Sequence, residues 1–127
     1  MPIEPEIVNE LDLDAMADQA KQMIQSGDAK GALELLKPHL KTEASKHAQS
    51  WLIAGGAMAK LDLEEHAISA IEHAQKLDPG NPKGWFNLGT LKQRQGMLKE
   101  ASTCYSNALR EDPSYVKAAQ KWAPLAM

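Results

Sequence analysis

Four histidines and one cysteine are the residues of this 127-residue chain best suited to hold a metal or attack a substrate. A zinc site or an activated nucleophile needs such residues grouped, as two His on one helical turn, a CxxC pair, or a Cys or Ser beside a base. His39, His47, His66 and His73 fall at none of the metal spacings, and Cys104 has no His near it in sequence. His66 and His73, seven apart, can share a helical face, but Glu65 and Glu72 beside them read as solvated charges. The stretches AGGAMAK and GDAKGA lack the GxxxxGK[ST] spacing of a phosphate loop. The expectation is a chain with no catalytic residue, no metal and no cofactor, whose function lies in a surface and not in a reaction.

Composition narrows that surface. Apolar residues make up 43% of the chain, too many for a disordered class of sequence. No run reaches the roughly 18–20 apolar residues of a membrane span. The net charge of −3 is uneven: residues 1–14 hold Glu4, Glu6, Glu10, Asp12 and Asp14 without any Lys or Arg, which leaves a net +2 on the rest. So mild a balance carries no nucleic-acid footprint, and the expected partner is a protein, not nucleic acid and not a membrane. A single cysteine forms no intrachain disulfide, which is compatible with a reducing, cytoplasmic setting.

The elements that position this surface repeat. Trp51 and Trp85 are 34 residues apart, and so are Gly55 and Gly89, Ala67 and Ala101, Ile71 and Tyr105, Ala74 and Ala108, and the pairs Asp78-Pro79 and Asp112-Pro113. A weaker copy precedes them. Aligning Gly27 with Gly96 places Met16 over Trp85, Ala20 over Gly89, Ala32 over Ala101 and Leu36 over Tyr105, with one residue inserted near His47. Internal periods of this size are the mark of stacked helical or β units.

The order Trp, a small residue or Leu, Gly, then Ala, a large apolar residue, Ala and Pro resembles the tetratricopeptide repeat (TPR) family, two antiparallel helices per 34 residues. Residues 82–115 carry the fuller set, with Lys92 standing where the family usually has an aromatic. The resemblance implies an all-α, right-handed superhelix of three antiparallel helix pairs plus a C-terminal capping helix. Units are expected at about 13–47, 48–81 and 82–115 within a domain spanning 11–127, after an acidic, flexible tail over 1–10.

Periodicity and turn residues predict helices at about 11–26, 29–41, 46–60, 64–77, 82–95, 98–111 and 115–123. Gly27 and Gly96 suit turns that need φ > 0, and Asp62 in the same place can tolerate that conformation or cap the next helix. Pro124 is expected to stop the last helix, whose apolar stripe is read as Val116, Ala119 and Trp122.

Gly55 and Gly56 sit side by side inside a helix, where each costs roughly 1 kcal/mol relative to alanine. Gly55, like Gly89, is expected at the crossing of paired helices, facing Ala67 as Gly89 faces Ala101. Gly56 points about 100° away, either bare on the concave face or closely packed by the next unit.

Family members bind peptides or protein segments in the groove lined by the first helix of each unit. Carried onto this chain, that implies Lys21 in the first unit and Leu52, Ile53, Gly56 and Lys60 in the second. In the third it implies Lys83, Phe86, Asn87, Thr90 and Arg94. Leu52, Ile53 and Phe86 would form an apolar strip flanked by Lys83, Asn87, Lys60 and Arg94, unless Phe86 packs instead on the C-terminal helix or a neighbouring unit. A partner segment with apolar anchors and some acidic residues would fit. The family's clamp for the acidic C-termini of heat-shock chaperones falls on Ala17, Lys21, Ile53, Lys83 and Asn87, where only Lys83 keeps the needed type. The functional expectation is a non-catalytic interaction module, such as an adaptor, cochaperone or assembly factor. The alternative is a structural, self-associating subunit of a larger complex, a homodimer being one such form.

Overall fold

A computed structural model describes residues 11–126, and the expected acidic tail over 1–10 lies outside them. Among the described residues there are seven α-helices and no strand: α1 (Leu13–Gln25), α2 (Ala29–Leu36), α3 (Ala48–Lys60), α4 (Glu64–Leu77), α5 (Pro82–Arg94), α6 (Leu98–Glu111) and α7 (Val116–Ala126). Consecutive helices pack together throughout, and α3 also touches α1 and α5, so the first helices of successive units lie side by side.

Backbone geometry repeats with the sequence. In the turn inside each unit, Gly27 (φ 93°), Asp62 (φ 63°) and Gly96 (φ 78°) take the left-handed conformation. The following N–H then reaches back five residues: Asp28 to Met23 O (2.7 Å), Leu63 to Met58 O (2.9 Å) and Met97 to Lys92 O (2.9 Å). These bonds satisfy carbonyls that a helix end would otherwise leave orphaned. Asp62 therefore acts through its backbone, and α4 starts without a side-chain cap. α6 likewise starts without one, whereas α1, α2, α3 and α5 are capped by Asp12, Asp28, His47 and Asn81.

Two apolar clusters fill the stack. One joins Met16, Ala17, Ala20, Ala32 and Leu36 of the first unit to Ile53, Ala54 and Ala57 of α3. The other joins Leu52, Ala67, Ile68 and Ile71 to Leu88, Leu91 and Cys104. Trp51 and Met58 pack against both. The first helix pair thus buries Met16, Ala20, Ala32 and Leu36, the residues that align with the later repeat positions.

Three expectations about elements change. The second helix ends at Leu36 and tightens into a 3-10 turn over Lys37–His39, because Pro38 cannot donate the next helical hydrogen bond. Pro124 does not stop α7, which continues to Ala126. Its φ already suits a helix; the carbonyl it leaves unpaired belongs to Gln120, which is exposed, and α7 packs on α6, with Pro124, Leu125, Leu98 and Ser102 lining one recess between them. The stripe of α7 is also rotated: Ala118 is fully buried while Val116 is 62% exposed, with Ala119 and Trp122 half-buried.

Candidate functional site

Gly55 and Gly56 part company in the structure. A Cβ on Gly55 would stand 2.5 Å from Ile71 Cγ1 and 3.3 Å from the carbonyl oxygen of Ala67, so its bareness permits the α3–α4 crossing. Gly89 plays the same part in the third unit, but against the ring of Tyr105 (2.7 Å) rather than Ala101. A Cβ on Gly56 would meet nothing within 4 Å. The residue is not closely packed; it forms part of the wall of a concavity of about 430 Å³ between α3 and α5.

Gly56, Ala59, Lys60 and Asp62 line one side of this concavity, Phe86, Asn87, Thr90 and Arg94 the other, with Ile71 and Leu91 between. Of the ten residues expected in a groove, six are therefore brought together here. The other four are not. Leu52 and Ile53 are 5% and 7% exposed and belong one to each core cluster, so the apolar strip is corrected to Phe86 alone. The reason is the place of α3: it contacts α1, α2, α4 and α5, and a helix so surrounded buries apolar residues all round. Lys21 is half-buried on α1 and Lys83 is exposed near the start of α5, neither lining the concavity.

Phe86 meets both of its expected neighbours. It is half-buried, lines the concavity, and stacks at a tilt on Tyr105 (5.8 Å between centroids) and on Tyr115 at the start of α7 (5.5 Å). Behind it, the buried Tyr105 hydroxyl donates to Gln93 Oε1 at 2.7 Å, and burial raises the Tyr105 phenol above its ordinary pKa. The aromatic wall is thus held from behind, which limits the ordering a ligand would have to impose.

Charge at the rim is mixed in sign. Arg94 bonds Glu64 Oε2 at 3.2 Å, and Asp62 stands with Lys60 at the same end. Glu64, Asp62 and Ala59 escaped the sequence reading. The signal for Glu64 is repeat geometry, since a residue at the end of one unit's first helix lies over the start of the preceding unit's second helix. Lys92, the departure from the family's aromatic, is only 13% exposed and reaches Glu100 (2.9 Å) and Glu72 (3.6 Å), tying α4, α5 and α6 together. Glu100 foremost raises its pKa. Nearby, burial pushes the Cys104 thiol up to about 11, the state of a packed side chain and not a nucleophile.

One grouping has the residue types of a hydrolase. His47 Nε2 lies 2.7 Å from Asp14 Oδ1, and Nδ1 lies 2.7 Å from Ser50 Oγ. Ser50 is fully buried, however, and its backbone N–H donates to the same Nδ1 at 3.2 Å. The arrangement is a helix cap: Nδ1 accepts, and Nε2–H donates to Asp14, which pins the start of α3 to α1. Among the described residues no group of three His, Cys, Asp or Glu could hold a metal ion, and no helix is long and apolar enough to cross a membrane.

Comparison with known proteins agrees with this architecture. Residues 82–115 match the tetratricopeptide repeat family. The crystal structure of MamA superposes with a TM-score of 0.82 at 21% identity, over 90% of this chain and 66% of that one. The Yersinia enterocolitica type III secretion chaperone SycD, solved with a peptide of the translocator YopD, gives 0.80 at 15% identity over 90% and 92%. The first repeat domain of Spaghetti (RPAP3), bound to an HSP90 peptide, gives 0.80 at 15% over 88% of each. Residues 82–115 are thus a tetratricopeptide repeat, set in an all-helical fold similar to that of these solved structures. In sequence it is similar to the protein adenylyltransferase fic-1 of Caenorhabditis briggsae (37% identical over 54 residues, 42% of this chain). It is also similar to the probable N-acetylglucosaminyltransferase SPINDLY of Solanum lycopersicum (33% over 76 residues, 60% of this chain). The chain spans only 11% and 8% of those two proteins.

Proposed function

We propose that this chain is a non-catalytic interaction module that grips a protein segment in the concavity between α3 and α5, as an adaptor, cochaperone or assembly factor. One observation carries the reading: an open recess with an aromatic wall at Phe86, an amide at Asn87 and cations at Lys60 and Arg94, set between the first helices of two repeats. The asparagine amide can donate to and accept from a ligand backbone. Neighbours of the same fold were solved with peptides of YopD, HSP90 and HSP70, which supports a segment of protein as the ligand. A chaperone's acidic C-terminus is a poor candidate here, because two of the five clamp positions, Ala17 and Ile53, are apolar and buried. The enzymatic activities of fic-1 and SPINDLY proteins are not proposed, since the chain matches only a small share of each. The buried free thiol of Cys104 suits a cytoplasmic setting.

The test is affinity capture from the native extract with the intact chain and with a Phe86→Ala, Asn87→Ala variant that remains folded. A partner held by the first and lost by the second supports the groove; a partner held equally by both places its interface elsewhere. A second reading, self-association, is favoured by the exposed Val116 (62%) and Leu98 (50%) near the C-terminal end of the stack. A mass that rises with concentration would support it.

A further inference from the structure

We infer that Gly56 is the specificity-determining residue of the groove, and that the bare helix surface it leaves receives one large apolar side chain of the partner segment; this rests on the groove reading above. The argument begins with a cost that packing does not explain. Gly55 needs its lack of Cβ, because Ile71 and Ala67 leave no room, whereas Gly56 has open space where a Cβ would go. Glycine in a helix interior lowers stability, so a local rule is broken here without a structural return, which is how functional positions stand out.

The repeat sharpens the point. Lys21, Gly56 and Thr90 hold equivalent positions in the three units, and glycine alone leaves a gap there. The concavity that the gap opens into is lined by Phe86, Ala59, Asn87 and Thr90, with only 1–2% of Ile71 and Leu91 exposed. Of the charges on the lining, Arg94 is already paired with Glu64, which leaves Lys60 and Asp62, of opposite sign. The ligand chemistry that fits is a Leu, Ile, Met or aromatic side chain inserted over Gly56 against Phe86, with the adjoining ligand backbone at Asn87. An acidic neighbour beside Lys60 would be a secondary feature.

A displayed library of random linear peptides, panned on the full chain, supplies the probe. Enriched peptides are expected to share one large apolar position. Their affinity is then measured on the parent chain and on Gly56→Ala, Gly56→Leu and Asn87→Ala variants. Gly56→Leu fills the gap and should weaken binding roughly ten- to a hundredfold, the worth of one buried apolar side chain. It should also raise the melting temperature by about 2–6 °C, so the loss of binding cannot be a loss of fold. Gly56→Ala should show the same stability gain with a smaller binding loss. If Gly56→Leu binds as the parent does while Asn87→Ala binds more weakly, the groove stands and the role of Gly56 falls. If neither changes binding, both readings fall. A lower melting temperature for Gly56→Ala, or a library that enriches nothing, also overturns the inference.

Discussion

The junction between the first two units and the junction between the last two both set first helices side by side, and they end differently. Between α1 and α3, Ile53 packs with Met16, Ala17 and Ala20 into one buried cluster, so that junction is filled from within. Between α3 and α5, Gly56 leaves a recess of about 430 Å³ walled by Phe86. Backbone approach and side-chain size act together: α3 lies closer against α1 than against α5, and the side chains at the first junction fill what remains. The repeat supplies the frame, and departures from uniform packing supply the site.

Emptying the filled junction should have the largest effect. Ile53→Ala removes a side chain that is 7% exposed, and is expected to cost roughly 2–5 kcal/mol, read as a fall in the urea midpoint at unchanged slope. Phe86→Ala at the open junction should cost less, roughly 1–3 kcal/mol, because the ring is half exposed and loses mainly its stacking on Tyr105 and Tyr115. Equal losses would mean that the second junction is as much a core as the first.

Next in size is the pair of neighbouring glycines. Gly55→Ala brings a Cβ to within 2.5 Å of Ile71 Cγ1, and Ile71 is 1% exposed with little room to move. Overpacking of this kind costs typically 1–3 kcal/mol, which exceeds the roughly 1 kcal/mol of helix propensity gained. Gly55→Ala should therefore melt lower than the parent, and Gly56→Ala higher. The same sign for both would remove the distinction on which the groove assignment depends.

Much of this was legible in the residues, and the misses share a cause. Helices 64–77 and 98–111 end where turn residues and the 34-residue period place them. The split roles of Gly55 and Gly56 follow from a 100° rotation, and the sequence left open only whether Gly56 was bare or packed. Leu52 and Ile53 were misplaced because a single helical face says nothing about how many neighbours a helix has, and α3 has four. The Arg94–Glu64 and Asp14–His47 pairs join residues about thirty apart, which no local pattern reports. Lys92 was visible as a departure, but its compensation by Glu72 and Glu100 needs the three helices in place. Pro124 shows the limit of a breaker rule where the freed carbonyl belongs to an exposed residue and the helix packs on its predecessor.

Titration should separate the two ends of the molecule. In the third unit and the turn after it, Lys92, Cys104, Tyr105 and Tyr115 all have raised pKa values. A group that holds its proton more tightly when folded stabilises the protein fully below its unfolded pKa and loses that contribution as pH rises through the folded value. Stability should therefore decline in alkali, with the Cys104 share lost between 9.0 and about 11. Glu43, after the first unit's second helix, behaves oppositely: hydrogen bonds from Thr42 and His39 lower its pKa from 4.5 to about 2. Its contribution is present above 4.5 and disappears as pH falls toward 2. Amide exchange across pH should show protection falling first in α5–α7 in alkali, and the turn around Glu43 responding to acid. A uniform loss in alkali would contradict the first half of this division.

The smallest effect on stability concerns the rim of the open junction. The Arg94–Glu64 pair is 48% and 28% exposed on its two sides, so breaking it should cost roughly 0–1 kcal/mol. Its effect on encounter should be easier to detect. Arg94→Ala removes a cation and also frees the Glu64 carboxylate, which turns the rim toward negative charge. Glu64→Gln does the reverse and leaves Arg94 to meet a ligand. With an acidic peptide that enters the groove, Arg94→Ala should lower the association rate at low salt and Glu64→Gln should raise it. Both effects should shrink as salt screens the rim, and dissociation should change little. Stopped-flow binding at two ionic strengths decides the matter. If the two substitutions shift association in the same direction, the pair serves packing between units rather than steering. Charge at the open junction would then have no part in bringing the ligand in.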